Sequence, residues 1–341
     1  MAAEYLVGLT ADVLRPDGSV FFGDVGLDRL TAAGLRWEVM PAQEGVATGL
    51  APYDAVLSFG HLHFTREAVA AAPRLRHVAR FGAGYDGIDL DGLAREGVLV
   101  TNAPDGVRRP LALSALTLVL GLAHRLMENH RAATSGRWSA RGDHRGIGLA
   151  GRTVGIIGFG SVGAELAGLL EPLGARLLTL DRPSARERAA GTRVELVTLE
   201  QLAAQSDYVV LTAALTASSR HIVDAAFLRA MRPGAHLVNV GRGGLVDQAA
   251  LTAALVEGRL AGAALDVLDP EPPAPDEPLL ALDNVIVTPH ALCWTDDFVA
   301  AVARSATDAV IDVAHGRRPE HPLNPAALDH PRHAATPAWL P

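Results

Sequence analysis

The sequence lacks the features that mark several classes of protein. Cys293 is the only cysteine among 341 residues, which excludes an internal disulfide framework and a thiolate zinc cluster. The formal net charge is −8 and no block of Lys or Arg occurs, which argues against nucleic acid and anionic membranes as partners. The first residues lack the basic region of a signal peptide, and no run of about 18 apolar residues predicts a membrane span. We therefore expect a cytoplasmic protein.

Aromatic residues are also scarce, at 5% of the chain, whereas hydrophobic residues make up 49% and are largely Ala, Val and Leu. This composition is typical of helices packed on buried parallel sheets, and the length predicts two domains. In the first hundred residues, five strand-like runs alternate with helical patterns: YLVGL, WEVM, DAVLSF, LRHVARF and VLVTN. Residues 109–133 predict one long, buried or domain-bridging helix. After Gly146 the alternation restarts and predicts a six-stranded parallel sheet.

A glycine-rich turn follows the first strand-like run of that second region. In VGIIGFGSVG, Gly158, Gly160 and Gly163 form the spacing G-x-G-x-x-G between a strand and a helix. Gly158 permits a tight turn, Gly160 allows a pyrophosphate to approach the backbone, and Gly163 allows the helix to pack closely on the strand. The motif therefore predicts a dinucleotide site.

The next strand-like run, LLTLD, ends at Asp181, about twenty residues after the glycines, the distance expected for a ribose-binding carboxylate. A carboxylate repels a 2′-phosphate, so Asp181 favours NAD over NADP. Arg182 could partly accommodate that phosphate, so NADP stays open as the less favoured cofactor.

Three charged or titratable residues each follow a predicted strand: Arg242 after HLVNVG, Glu271 after AALDVLDP, and His290 after NVIVTP. The carboxyl ends of parallel strands lie at one edge of the sheet, where a dinucleotide also binds. Arg can hold the carboxylate and carbonyl of a 2-oxo acid, His can donate a proton near neutral pH, and Glu can orient the His. Each residue alone has an ordinary structural explanation, but together they predict an active site.

With these motifs in hand, the sequence resembles the D-isomer-specific 2-hydroxyacid dehydrogenases, a family that includes glyoxylate/hydroxypyruvate reductases and D-3-phosphoglycerate dehydrogenases. The matching stretches are RFGAGYDGIDL (80–90), VTNAP (100–104), GRTVGIIGFGSVG (151–163), GAHLVNVGRGGLVD (234–247), GAALDVLDPEPP (262–273) and NVIVTPH (284–290).

The resemblance implies an α/β fold with two doubly wound parallel-sheet domains. Residues 1–103 and 295–341 would form a flavodoxin-like substrate domain, and residues 104–294 an inserted Rossmann NAD-binding domain, with the cleft between them. It also implies a small 2-oxo or 2-hydroxy acid as substrate and a homodimer, because Trp138 lies where the family carries its dimerisation arm.

The resemblance further implies roles for individual residues. Arg242 would bind substrate, Glu271 and His290 would form the acid/base pair, and Asp266 would contact the nicotinamide carboxamide. The substrate contacts would be Gly82, Ala83, Gly84, Arg242 and His290, with His61 and His63 as further candidates. The cofactor contacts would be Gly158, Gly160, Ser161, Val162, Gly163, Asp181, Arg182, Ala213, Ala214, Val240, Gly241, Asp266, His290 and Cys293.

The chain departs from the family pattern directly after His290, where Leu292, Cys293 and Trp294 replace small residues and should reshape the pocket. Without a second thiol to resolve it, Cys293 is expected to pack and not to act in redox chemistry. The loop SFGHLHFT lacks the Arg of phosphoglycerate enzymes, which makes a phosphorylated substrate less favoured. The alternatives are a D-3-phosphoglycerate dehydrogenase and an NAD(H)-sensing, corepressor-like protein of the same fold.

We expect no metal site. The tail carries three histidines, His321, His330 and His333, but their spacing is irregular and no cysteine or paired glutamate accompanies them.

Overall fold

The computed structural model describes residues 5–60 and 62–333. The chain divides into two compact units, Met1–Val107 with Thr295–Pro341 (unit 1) and Arg108–Trp294 (unit 2). The first boundary falls after Val107, whereas the sequence boundary was placed after residue 103. The substrate and cofactor roles assigned to the two units stay predictions at this point.

Unit 1 contains a five-stranded sheet in the order β2-β1-β3-β4-β5, with every neighbouring pair parallel. Its strands are β1 Leu6–Leu9, β2 Arg36–Val39, β3 Ala55–Ser58, β4 His77–Arg80 and β5 Leu99–Thr101. The order is that of flavodoxin-like sheets. Residues of β3 and β5 are buried throughout, as expected where helices cover both faces of a parallel sheet. The five strand-like runs in the sequence are confirmed.

The helices of unit 1 begin with side-chain caps where the sequence offers Thr or Asp. Thr65, Asp89 and Thr295 each accept a hydrogen bond from the backbone N–H three residues later, which satisfies a donor that the helix leaves unpaired. These helices are α1 Leu27–Ala32, α2 Arg66–Ala70, α3 Leu90–Arg95 and the 19-residue α11 Asp296–Ala314.

Unit 2 contains a seven-stranded parallel sheet in the order β12-β11-β10-β9-β6-β7-β8. Its strands are β6 Thr153–Ile157, β7 Arg176–Leu180, β8 Glu195–Val197, β9 Tyr208–Leu211, β10 His236–Asn239, β11 Gly262–Leu265 and β12 Val285–Val287. The prediction of six strands was wrong by one. The additional strand, β8, is a three-residue edge strand without a buried residue, so it lacks the continuous apolar run by which the others were found.

Five helices of unit 2 connect these strands. They are α6 Ser161–Leu170, α7 Pro183–Ala189, α8 Leu199–Gln205, α9 Ala225–Ala230 and α10 Gln248–Val256. Strands and helices therefore alternate along unit 2 from β6 to β11, as in doubly wound sheets.

The single helix predicted over residues 109–133 is two helices, α4 Pro104–Ala123 and α5 Leu126–Thr134. The break lies at Arg125, which has a left-handed backbone with φ +49°. The Asn129 amide donates to the carbonyls of His124 and Arg125, so a side chain takes over the backbone acceptors at the break. No Gly or Pro marks this position, which is why the sequence pattern missed it.

Helix α4 is long and apolar enough, by length and composition alone, to cross a membrane. However, 61% of its most apolar window is buried within the structure. A largely buried helix of this kind also occurs in the cores of proteins that never enter a membrane.

The described part of the tail packs on unit 1. Asn324 accepts a hydrogen bond from the Val100 amide at 2.7 Å and donates to the carbonyls of Leu90 and Val98. Two short 3₁₀ turns follow, Pro325–Asp329 and Pro331–His333.

The three tail histidines differ in their side-chain contacts. His321 lies 3.1 Å from a carboxylate oxygen of Asp105, beside Glu320. The imidazole of His333 lies 2.9 Å from the Gly97 carbonyl, and His330 accepts from the Arg332 amide.

Candidate active site

The turn between β6 and α6 contains three glycines with different steric surroundings. Gly158 has φ +103°, and a Cβ there would lie 2.4 Å from the Ala213 nitrogen. A Cβ at Gly163 would lie 2.2 Å from the Gly158 carbonyl oxygen. At Gly160, in contrast, a Cβ would meet no atom within 4 Å. The first and third glycines are needed for packing, and the second leaves space beside the backbone.

Helix α6 starts directly at this space. Its N-cap is Gly160, which provides no capping side chain, and Ser161 and Val162 form its first turn. The first N–H groups of the ten-residue helix and its dipole therefore point toward the open side of the turn. An anion that approaches close to the backbone fits here, so the turn fits the pyrophosphate of a dinucleotide.

Asp181 follows the last residue of β7, and its carboxylate is paired with Arg186. Arg186 Nε donates to Asp181 Oδ1 at 2.5 Å, and Arg186 Nη2 donates to Asp181 Oδ2 at 2.9 Å. These hydrogen bonds hold the pKa of Asp181 below its usual value, so the group is charged at neutral pH. Arg182, the cation that the sequence suggested beside Asp181, is instead the N-cap of α7. Arg186 was missed, although it lies only five residues from Asp181 across the strand–helix turn.

The segments after β9 and β10 lie against the glycine turn. A Cβ on Gly241 would lie 2.9 Å from the Ala213 carbonyl, and the Gly241 amide donates to the Asn239 side chain. Val240 is buried, and the Ala214 carbonyl accepts from the Ser219 hydroxyl. The predicted cofactor residues on these segments therefore have small side chains or buried positions next to the turn.

Arg242, Glu271 and His290 follow the ends of three adjacent strands, β10, β11 and β12. Neighbouring strands are about 4.8 Å apart, so the outer two of the three are separated by roughly 10 Å. All three residues consequently lie on the carboxyl-terminal edge of the sheet. The same edge carries the turn between β6 and α6.

His290 and Glu271 are in direct contact. His290 Nδ1 lies 2.7 Å from Glu271 Oε2, and the two side chains are 29% and 31% exposed. The other carboxylate oxygen, Oε1, accepts from the Leu268 amide at 2.9 Å. Glu271 is thus held by the backbone on one side and contacts the imidazole on the other. This contact fixes the ring orientation and directs Nε2 away from Glu271.

A buried carboxylate holds the turn that carries His290. Asp266 is 1% exposed, and its Oδ1 accepts from the Thr288 hydroxyl at 2.6 Å and from the amides of Ala291 and Leu292. Burial raises the pKa of Asp266. The His290 amide also donates to the Asp266 carbonyl at 2.8 Å.

His290 itself has φ +54°, a left-handed conformation that is uncommon for residues with a side chain. The surrounding hydrogen bonds to Asp266 maintain this conformation. Asp266 thus shapes the turn that presents the imidazole, a contribution that the sequence pattern does not indicate.

Arg242 has an extended backbone at the start of a short 3₁₀ turn, Gly243–Leu245. Its Nη1 donates to the Gly241 carbonyl at 2.7 Å, and its own carbonyl accepts from the Asn239 amide group. The side chain is half-buried. The guanidinium is therefore anchored at one corner, close to the backbone at the end of β10.

Cys293 is buried, and its environment agrees with packing. Burial raises the pKa of the thiol to about 12, so it stays protonated and is a poor nucleophile at neutral pH. Trp294, directly after it, is 40% exposed.

The loop after β4 in unit 1 exposes backbone donors. Among residues 5–60 and 62–333, no acceptor lies within hydrogen-bond reach of the amides of Ala83 and Gly84. The Gly82 amide donates to the Arg80 carbonyl at 3.0 Å, and Gly82 has φ +136°. The three predicted donors are therefore not equivalent, because one already has a partner.

The side chain of Arg80 shapes this loop. It donates to the Gly84 carbonyl at 3.0 Å and to the carbonyls of Ser58, Phe59 and Phe81. Asn102 donates to the Ala83 carbonyl at 2.8 Å. Of the two histidines predicted nearby, His63 is exposed and its backbone bonds to Gly45 and Ala47, whereas His61 lies outside the described residues.

Comparisons with known proteins agree with this geometry. The family model described as "D-isomer specific 2-hydroxyacid dehydrogenase, NAD binding domain" matches residues 116–291. A glyoxylate reductase of Korarchaeum cryptofilum is 35% identical over 84% of this chain and 87% of its own length. A D-3-phosphoglycerate dehydrogenase of Archaeoglobus fulgidus is 33% identical over 89% of this chain, which spans only 58% of that relative.

Solved structures give the same result. The TT0316 protein of Thermus thermophilus has a TM-score of 0.82 and 30% identity, covering 93% of this chain and 99% of that one. An NADPH-dependent glyoxylate/hydroxypyruvate reductase from Sinorhizobium meliloti, solved with NADP and malonate, has a TM-score of 0.80 and 28% identity and covers 95% and 98%.

The chain belongs to the D-isomer-specific 2-hydroxyacid dehydrogenase family. It is therefore an oxidoreductase with a nicotinamide dinucleotide-binding domain. Its two α/β domains, each built on a parallel sheet, have the fold of the family.

Proposed function

We propose that the protein interconverts a small 2-oxo acid and its D-2-hydroxy acid with NAD(H), and that glyoxylate- and hydroxypyruvate-like acids are favoured. The observation that carries the proposal is the 2.7 Å contact between His290 and Glu271 on the sheet edge that also carries Arg242 and the glycine turn. A proton-transfer group, its orienting carboxylate and a cation are what the reduction of a 2-oxo acid requires.

In this proposal each residue of the edge has one task. A nicotinamide cofactor, when bound, would supply the hydride for the substrate carbon. Arg242 holds the substrate carbonyl and carboxylate, because its planar guanidinium can donate two parallel hydrogen bonds. His290 donates a proton from Nε2 to the carbonyl oxygen as negative charge develops there, and Glu271 stabilises the protonated imidazole.

For unit 1 we propose a separate contribution, with the role of a substrate domain. The amides of Ala83 and Gly84 would bind a carboxylate, since successive backbone donors in a turn form an anion-binding concavity. Arg80 would act as a positioning residue, because its hydrogen bond to Gly84 shapes the loop. His61 and His63 remain candidates for contacts with a polar substrate tail.

The preference for glyoxylate-like acids has support from two sides. Relatives named glyoxylate reductase cover most of the chain, including one of Thermococcus onnurineus that is 39% identical over 70% of it. The loop after β3 reads SFGHLHF and carries no arginine for a substrate phosphate. A D-3-phosphoglycerate dehydrogenase activity is accordingly less favoured.

We propose NAD as the preferred cofactor. Asp181 is charged at the end of β7, and a carboxylate there accepts hydrogen bonds from ribose hydroxyls and repels a 2′-phosphate. The paired Arg186 weakens that repulsion, so the discrimination against NADP should be moderate.

We also propose that the protein is a cytoplasmic homodimer. Trp138 is 71% exposed and Leu126 is 58% exposed, both in the region after α4. Their exposure leaves both side chains available for contacts with a second subunit. Sedimentation velocity at micromolar concentration should give twice the 35.7 kDa mass of the chain.

A substrate panel tests the function. NADH and NADPH oxidation should be measured with glyoxylate, hydroxypyruvate, 3-phosphohydroxypyruvate and larger 2-oxo acids. We expect turnover with the first two, and faster turnover with NADH than with NADPH. Binding of NADH without turnover of any acid would refute the proposed reduction of 2-oxo acids and favour an NAD(H)-sensing protein.

A further inference from the structure

Unit 2 contains a cavity of about 240 Å³. It lies at the edge of the seven-stranded sheet opposite to the candidate active site. Its lining includes Tyr208 and His236, the first residues of β9 and β10, and Ala261 and Asn284, which directly precede β11 and β12. The cavity therefore lies at the amino-terminal ends of the strands. The candidate active site lies at their carboxyl-terminal ends, so the two sites share no residue.

Two stacked rings at this edge have unused polar groups. Tyr208 and His236 are partners in the β9–β10 register, and their rings stack with centroids 4.9 Å apart and planes at 11°. Within the described residues, the Tyr208 hydroxyl is buried and has no hydrogen-bond partner, and Tyr208 as a whole is only 2% exposed. Such groups are rare in proteins, because each costs about 1–3 kcal/mol when it stays unsatisfied.

His236 is 9% exposed, and burial lowers its pKa to about 4. The imidazole is therefore neutral at pH 7 and offers one donor and one acceptor. Across the residues that the structure describes, neither ring nitrogen has a hydrogen-bond partner. The stack thus presents uncharged hydrogen-bonding groups to the cavity.

The cavity lining contains two arginines, Arg125 and Arg145, and two carboxylates, Glu128 and Asp283. Arg125 pairs with Glu128 at 3.2 Å, and Asp283 is 3.7 Å from Arg131. In residues 5–60 and 62–333, Arg145 has no carboxylate or hydrogen-bond partner. Arg145 is therefore an unpaired guanidinium at the cavity, within the part of the chain that the structure describes.

The backbone around Arg145 is fixed. The Ile147 amide donates to the Ala123 carbonyl at 2.7 Å, and the His144 carbonyl accepts from Asn129 at 3.0 Å. Both contacts fasten the segment to the end of α4 and to α5. The guanidinium therefore extends from an anchored backbone, which reduces the entropy lost when it binds a ligand.

The remaining lining is apolar and consists of Leu122, Ala123, Met127, Ile147 and Ile286. An apolar wall with a few polar groups is typical of a small-molecule site, and the volume lies just below the usual range of about 300–1,000 Å³. A ligand of roughly ten non-hydrogen atoms suits this space.

We propose that the cavity binds a small aromatic monocarboxylate, with its carboxylate on Arg145, its ring against the apolar wall, and a polar ring substituent toward Tyr208 and His236. The proposal does not depend on the function proposed for the opposite edge. A carboxylate complements the unpaired guanidinium of Arg145, and a flat ring fits beside the stacked pair.

The test uses 4-hydroxybenzoate as the probe and the full-length protein, with binding measured by titration calorimetry and saturation-transfer NMR. We expect saturable binding that weakens about tenfold or more in Arg145→Gln, since a charge-assisted contact contributes about 1.4 kcal/mol or more. The matched control Arg141→Gln, an exposed arginine on the same segment outside the cavity lining, should bind as the native protein does.

Two further experiments distinguish binding in this cavity from binding at the candidate active site. The neutral analogue 4-hydroxybenzyl alcohol should bind more weakly than 4-hydroxybenzoate, and Arg242→Gln should leave 4-hydroxybenzoate binding unchanged. The proposal is overturned if the probe does not bind, if Arg145→Gln binds normally, or if binding is lost in Arg242→Gln. It is also overturned if sedimentation shows that only the monomer binds, because a second copy of the chain would then cover the cavity.

Discussion

Two histidines on the same sheet, His290 and His236, have opposite environments. His290 lies at the carboxyl-terminal edge, 29% exposed at its side chain and 2.7 Å from a carboxylate. His236 lies at the amino-terminal edge, stacked on Tyr208, and burial lowers its pKa to about 4. The first arrangement can exchange a proton, whereas the second keeps the ring neutral. Residue type alone therefore says little, and the partner and burial decide what a histidine can do.

The largest effect on turnover is expected from a substitution of His290. His290→Ala should lower kcat with glyoxylate by about 10²–10⁴, because general acid catalysis contributes that much. The dissociation constant of NADH should change little. Steady-state kinetics and NADH fluorescence titration measure the two quantities. His236→Asn, the matched variant at the other edge, should keep kcat within a few-fold, and an equal loss in both variants would remove the distinction between the edges.

A smaller effect is expected at Asp181. Asp181→Ser removes the carboxylate that repels a 2′-phosphate, so the ratio of kcat/KM for NADPH over NADH should rise about tenfold, or ~1.4 kcal/mol. Arg186→Gln should change the ratio in the opposite direction, because it leaves the carboxylate without its cation. If the ratio stays constant in both variants, Asp181 does not select the cofactor.

We expect the stability of the fold to decrease at acidic pH because His236 is buried. The folded pKa of His236, about 4, is below its ordinary value of 6.5, so between these pH values the unfolded chain binds a proton that the folded chain does not. Stability is therefore lost as the pH falls from about 6.5 to 4. Thermal unfolding midpoints should fall less steeply over this range in His236→Asn than in the native protein. Tyr208→Phe, which alters the same stack without removing an imidazole, should retain the native slope.

The smallest effect is expected from Tyr208→Phe at neutral pH. The hydroxyl has no hydrogen-bond partner among the described residues, so its removal should leave stability within about 1 kcal/mol of native or raise it slightly. The thermal midpoint in phosphate buffer at neutral pH measures this. A loss of more than ~2 kcal/mol would mean that the hydroxyl has a stabilising contact in solution.

The sequence predicted features that depend on local chemistry. Gly158 was predicted to permit a tight turn and Gly163 to allow close packing of the helix on the strand, and in the structure a Cβ at either position would clash with the backbone. The positions of Arg242, Glu271 and His290 at strand ends followed from the alternation of strands and helices. Their catalytic roles stay predictions until the variants are measured.

Other features depend on contacts that a linear pattern does not contain. The Arg186–Asp181 pair depends on how α7 leaves β7, and the break at Arg125 depends on the Asn129 side chain. The stack of Tyr208 on His236 arises from strand register, which could have been found only by aligning the beginnings of β9 and β10.

A double-mutant cycle measures whether His290 and Glu271 act as one unit. Glu271→Gln, His290→Ala and the double variant should be compared by kcat with glyoxylate at saturating NADH. Because Glu271 acts through the imidazole, the double variant should be about as slow as His290→Ala alone. If the two losses multiply, Glu271 and His290 act independently, which contradicts their action as one unit.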